Sequence, residues 1–151
     1  MRYSKGKWKA SYRDTWDITC SLEPIMVAWL TKFRDVYEEK EFTGVPSKYC
    51  YKMDMTKEEV NEAKAAFIED LDFIIHYLDS SNDPELNILD YNMNIEISQG
   101  QTDPKTGCAQ VNIVNHDEQA SDRFNDDVRY FAEQKEKALK LFAEIYPGLW
   151  W

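Results

Sequence analysis

Between residues 14 and 40 the apolar positions of DTWDITCSLEPIMVAWLTKFRDVYEEK recur every three to four residues. On a helix of 3.6 residues per turn, Leu22, Ile25, Met26, Trp29, Leu30, Phe33, Val36 and Tyr37 share one side. Glu23, Thr31, Arg34, Asp35 and Glu38 fall away from it. The pattern predicts an amphipathic helix whose aromatic side, Trp29 and Phe33 above all, is core. Thr19 or Ser21 is placed to cap it, with Pro24 in its first turn. Upstream, Trp8, Ala10 and Tyr12 alternate with Lys7, Lys9, Ser11 and Arg13, the period of a half-buried strand within residues 7–16.

After a Gly44 and Pro46 loop that should be ordered by Phe42, Val45, Tyr49, Tyr51 and Met53, Thr56 and Glu59 form a capping box. A second helix follows over about residues 57–79, with Val60, Ala63, Phe67, Leu71, Ile74 and Leu78 as its stripe. SSNDPELN then turns the chain, and the period changes to two. Tyr91, Met93, Ile95 and Ile97 alternate with polar residues, as do Val111 and Ile113, on either side of DPKTG at 103–107. This predicts a β-hairpin, which alone is marginal and should gain a third strand from residues 7–13, a partner chain, or the helices. Its edge is a surface for strand pairing. A third helix over about 120–146 carries Phe124, Val128, Phe131, Ala138, Leu139, Phe142, Ile145 and Tyr146. Pro147 and Gly148 stop it before Leu149, Trp150 and Trp151. The fold class is therefore α+β: mainly helical, three long helices packed with a β-hairpin or small antiparallel sheet.

At 151 residues and 43% hydrophobic content the chain has the size and composition of a single packed domain, residues 1–151. Its formal charge of −10 argues against direct nucleic-acid or membrane-surface binding. Residues 1–13 contain five basic residues and no acid, making them a basic arm or an edge strand on an acidic body. No apolar run spans a bilayer, and Cys20, Cys50 and Cys108 are too scattered for a disulfide framework or a zinc knuckle, which fits a reducing cytoplasm.

Candidate chemistry is confined to two places. Lys7, Trp8, Arg13 and Trp16 interleave rings with cations, as a site for a nucleobase and its phosphates does, and Lys135 lies inside the third helix's apolar stripe. Such a lysine usually snorkels to water; its sharper readings are a buried anion or an acid from another helix. On the second helix Glu58, Glu62, Glu69, Asp72, His76 and Asp79 line the face opposite the core. EEVNE and EDLD there resemble the magnesium-binding halves of the all-α nucleotide pyrophosphohydrolases. Those enzymes converge two helices on the ion, whereas here Glu58, Glu62, Glu69 and Asp72 share one helix, so a solvated acidic face is the simpler reading.

A second resemblance rests on DTWDITCSLEPIMVAWLTKF with GVPS after it, AAFIEDLDFII in the middle and KALKLFAEIYPGLWW at the end. These segments resemble a widespread group of small bacteriophage proteins with a Trp-containing step before an amphipathic helix, a short Gly-Pro loop and a closing Leu-Trp. This chain departs from the group in its long 89–114 hairpin and its Trp-Trp end. The resemblance implies a phage accessory protein acting in the host bacterial cytoplasm. It adds no catalytic residues, and no cofactor is expected. Three functions follow: a non-catalytic binder that sequesters a nucleotide-derived immune signal, an acidic inhibitor of a host protein, or a magnesium-dependent nucleotide pyrophosphohydrolase. A homo-oligomer, a dimer in the simplest case, is expected.

Overall fold

The structure, a computed structural model, describes residues 2–4, 7–9, 18–39, 44–50 and 52–149, with side chains from residue 22 onward. In chain order the elements are β1 (Arg2–Ser4), β2 (Lys7–Lys9), α1 (Ile18–Glu39), α2 (Lys57–Leu78), β3 (Ile95–Thr102), β4 (Ala109–Asn115) and α3 (Glu118–Ile145). They fall into two compact units, Met1–Asn82 with Ala132–Trp151, and Asp83–Phe131. The mainly helical α+β class read from the sequence is the class observed.

The first unit holds the larger core. Phe67, Leu71, Ile74 and Leu78, at steps of three and four along α2, are buried with Leu30 and Tyr37 of α1 and Ala138 and Ile145 of α3. Phe67 is the centre of an aromatic group. The Tyr37 and Phe33 rings meet it edge-on with centroids 5.1 and 6.2 Å away, and the Tyr49 ring lies tilted at 5.4 Å. The capping box forms as predicted. Glu59 N–H donates to Thr56 Oγ1 at 3.2 Å, and Thr56 N–H donates to the Glu59 carboxylate at 2.7 Å. At the far end of α3, a Cβ on Gly148 would stand 2.8 Å from Pro46 Cβ, so glycine there permits the chain to close on the loop before α2.

Three expectations for α1 are corrected. The helix starts at Ile18, ahead of both proposed caps, so Pro24 lies inside it rather than in its first turn. It removes one donor while its neighbours keep theirs. Trp29 is 65% exposed rather than core, because α1 turns Leu30 and Tyr37 inward instead. Glu23, assigned to the outer face, is buried with a lysine partner. Met53 is also fully exposed, although Val45 and Tyr49 of the same loop pack against the core as expected.

Of the partners expected for the hairpin, residues 7–9 are not one. β2 pairs antiparallel with β1, Tyr3 opposite Trp8, and β3 pairs with β4 in a separate sheet. Two residues separate β1 from β2, one of them Gly6, so local pairing closes the shortest loop. The strand read within 7–16 ends at Lys9, and residues 10–17 lie outside the described residues.

In the second unit, Ile97 pairs with Ile113 and Gln99 with Val111, with an irregularity between Gln99 and Thr102. The DPKTG turn works as read. Asp103 N–H donates to the Cys108 carbonyl at 2.9 Å, Gly107 takes φ +70°, and the Asp103 carboxylate accepts from Lys105 N–H and the Thr106 hydroxyl. Those two bonds hold the Asp103 carboxyl below its ordinary range. Ile88–Tyr91 form a 3-10 turn where alternation suggested strand. Asp117 accepts from Ala120 N–H at 2.9 Å and so opens α3. Tyr91 meets Phe124 edge-on at 5.2 Å and donates to Asp127 at 2.8 Å. Among the described residues no helix is long and apolar enough to cross a membrane.

Candidate functional site

Of the predicted ligand-binding residues, Lys7 and Trp8 are placed as backbone in β2, while Arg13 and Trp16 lie outside the described residues. Lys135 is described in full, and its partner is the acid from another helix. Its ammonium donates to Glu23 Oε2 at 2.8 Å, tying α3 to α1. Both side chains are largely out of solvent, so each neutralises a charge that burial would otherwise penalise. The acidic face of α2 is built as read, with Glu58, Glu62 and Glu69 exposed. Asp72 leaves that set, because Arg34 Nε and Nη2 donate to its two oxygens at 3.0 and 3.3 Å. Among the described residues no group of three or more His, Cys, Asp or Glu side chains is placed to hold a metal ion.

A different face of α2 borders a cleft of about 800 Å³ between that helix and the end of α1. Lys57, Asn61, Lys64 and Ile68 line it at steps of four, three and four along the helix, with Val60 beside them and Tyr37 and Glu38 opposite. Its volume suits a small organic ligand. The two lysines set its chemistry. Lys48, Lys52, Lys135 and Lys140 each pair with a carboxylate, whereas among the described residues Lys57 and Lys64 have neither an ion pair nor a hydrogen bond. Seven residues of helix separate them by about 10 Å along the axis, so their flexible stems can converge on one phosphate or bracket two. Glu38, the acid in the lining, is itself engaged by Arg34 at 3.0 Å.

The floor is apolar and fixed. Val60 and Ile68 are half-buried, and Tyr37 is buried with its hydroxyl donating to the Gly44 carbonyl at 2.8 Å. Burial raises the Tyr37 phenol above its ordinary value, so it stays a proton donor. Tyr49 is held the same way. Burial first, then its bond to Asp70, raises its phenol, and Lys48 joins Asp70 to Glu144 at 3.4 and 3.1 Å. A smaller apolar pocket of about 230 Å³ lies between α1 and the end of α3, lined by Trp29, Phe33, Phe142 and Tyr146 among others.

No family model, no curated protein and no solved structure matches this chain. Lys57 and Lys64 are masked in the sequence because Glu58, Glu59 and Glu62 lie between them, in a segment that reads as one acidic face. Their signal was the i, i+7 spacing with Asn61 and Ile68 on the same line.

Proposed function

We propose that this chain is a non-catalytic binder of an anionic, nucleotide-like small molecule, held in the cleft between α1 and α2. The observation that carries this reading is the pair of unpartnered lysines, Lys57 and Lys64, over a floor of Val60 and Ile68, in a chain of net charge −10. The acidic body as a whole repels anions, so a phosphate on it finds its attraction locally, at these two ammonium groups. A ribose and base then contact the apolar floor, and Asn61 offers an amide to a polar edge.

The resemblance to small phage proteins supplies the setting. In this reading the protein is a phage accessory factor in the host bacterial cytoplasm, where holding a nucleotide-derived signal without turning it over lowers its free concentration. The inhibitor reading is supported by exposed Glu58, Glu62 and Glu69, which suit a basic host protein. The pyrophosphohydrolase reading draws on the same stripe, where Asp72 is already engaged by Arg34.

Isothermal titration with AMP tests the proposal. Saturable one-to-one binding is expected, weakened about tenfold or more by Lys57→Glu combined with Lys64→Glu, a loss of at least about 1.4 kcal/mol. Both side chains are partly or fully exposed, so the variant keeps the fold. Equal binding by the variant, or none by the wild type, overturns the site.

A further inference from the structure

The unpartnered state of Lys57 and Lys64 follows from the register of α2. On a helix the neighbours of a side chain lie three and four residues away. For Lys57 these are Val60 and Asn61; for Lys64 they are Val60, Asn61, Phe67 and Ile68. None is an acid. Lys140 shows the opposite case, closing on Glu136 one turn back at 2.6 Å. Across the cleft, Glu38 is taken by Arg34 at 3.0 Å. The two lysines therefore stand beside acids in sequence and apart from them on the helix surface.

The same register sets how far apart the two charges act. Helical side chains lean toward the helix N-terminus, so stems that share a face run parallel rather than toward each other. The two Cα atoms lie about 10 Å apart along the axis, and parallel stems carry that separation out to the ammonium groups. Asn61 stands between them on the same line. Lys64 is half-buried, which leaves its stem less freedom to swing than that of exposed Lys57. A single phosphate placed midway would require both stems to fold inward across Asn61. Placed at either lysine, it leaves the other charge unneutralised. The cleft also has room for more than one anionic group, since about 800 Å³ stands toward the upper end of small-molecule sites.

We infer, resting on the reading of this cleft as a nucleotide site, that its ligand carries two phosphate groups set apart by a nucleoside unit, one held by Lys57 and the other by Lys64. Asn61 then meets a polar edge of the sugar or base between them. The class is a nucleotide with a phosphate on each side of the ribose. Nucleoside mono-, di- and triphosphates, whose phosphates all lie at one end, engage one lysine and leave the second idle. Once the first phosphate is held, the second contact forms within an already bound molecule, so it multiplies the affinity of the first.

Isothermal titration of the full chain with three probes tests this. Adenosine 3′,5′-bisphosphate is expected to bind about tenfold or more tighter than AMP, whereas ADP, with as many phosphates but both at one end, is expected within about threefold of AMP. Lys57→Met and Lys64→Met each remove an ammonium while keeping an apolar stem. Either one should abolish the advantage of the bisphosphate over AMP. Three results would overturn the inference and leave the cleft as a nucleotide site: equal binding of AMP and the bisphosphate, ADP matching the bisphosphate, which makes charge rather than spacing decisive, or an advantage that survives either substitution. Binding of none of the three probes would remove the site itself, and the two-phosphate ligand with it.

Discussion

Ile74 and Ile113 are the same side chain in opposite circumstances. Ile74 sits in the stripe of α2, fully buried, with Leu71 and Leu78 one turn away on either side. Ile113 sits in β4 and is mostly exposed. The helical unit has matched each apolar stripe with another, whereas the hairpin has an apolar face that its own unit leaves in solvent. A closed core explains stability, whereas an exposed aliphatic face adds none in the single chain.

The helical side of this comparison breaks most severely at Phe67, where three rings converge. Phe67→Ala should destabilise the protein by about 4 kcal/mol, read from urea unfolding, since the surrounding Phe33, Tyr37 and Tyr49 cannot collapse into the space. A comparable truncation in the hairpin, Ile97→Ala, should change monomer stability by about 0.5 kcal/mol or less, as at other exposed sites. Equal losses would erase the distinction between the two regions.

Next in size is the part-buried charge pair between α1 and α3. Lys135→Met leaves Glu23 buried without a partner and should destabilise by about 3 kcal/mol. Adding Glu23→Gln should recover much of that, because the stranded charge is then gone. Additive losses in this double-mutant cycle would mean that the two side chains do not interact.

The smallest effects lie at the start of α2. Thr56→Ala should lower stability by about 1 kcal/mol through the lost cap. Glu59 is held down to about 2 from an ordinary 4.5, first by its bond with Lys52 and then by the Thr56 amide. A carboxyl lowered in the folded state stabilises above its ordinary value and loses that contribution as pH falls through the folded value. An NMR titration should therefore find Glu59 charged at pH 4 and protonating near pH 2, and Lys52→Ala should raise its midpoint.

Much of this was legible in the chain. The α2 stripe, the Thr56 and Glu59 box and the DPKTG turn are local patterns, and local patterns survive into structure. What failed depended on distant packing. Trp29 and Leu30 both fall on the broad apolar side of the α1 wheel, and only the placement of α2 and α3 decides that Leu30 turns inward. Glu23 reads as an outward acid until Lys135, 112 residues away, is brought beside it. That residues 7–9 do not join the hairpin follows from the shorter loop available to β1 and β2. The cleft lysines were hidden because neighbouring glutamates dominate any local count of charge, while a cleft is selected by helical face.

A nucleotide bound as proposed enters between α1 and α2. Amide chemical-shift mapping during titration with AMP locates it. Shifts are expected on residues 57–68 and on Tyr37 and Glu38, saturating together, with the amides of 95–115 unmoved. Shifts confined to the hairpin or to α3, or no shift at any residue, would contradict it.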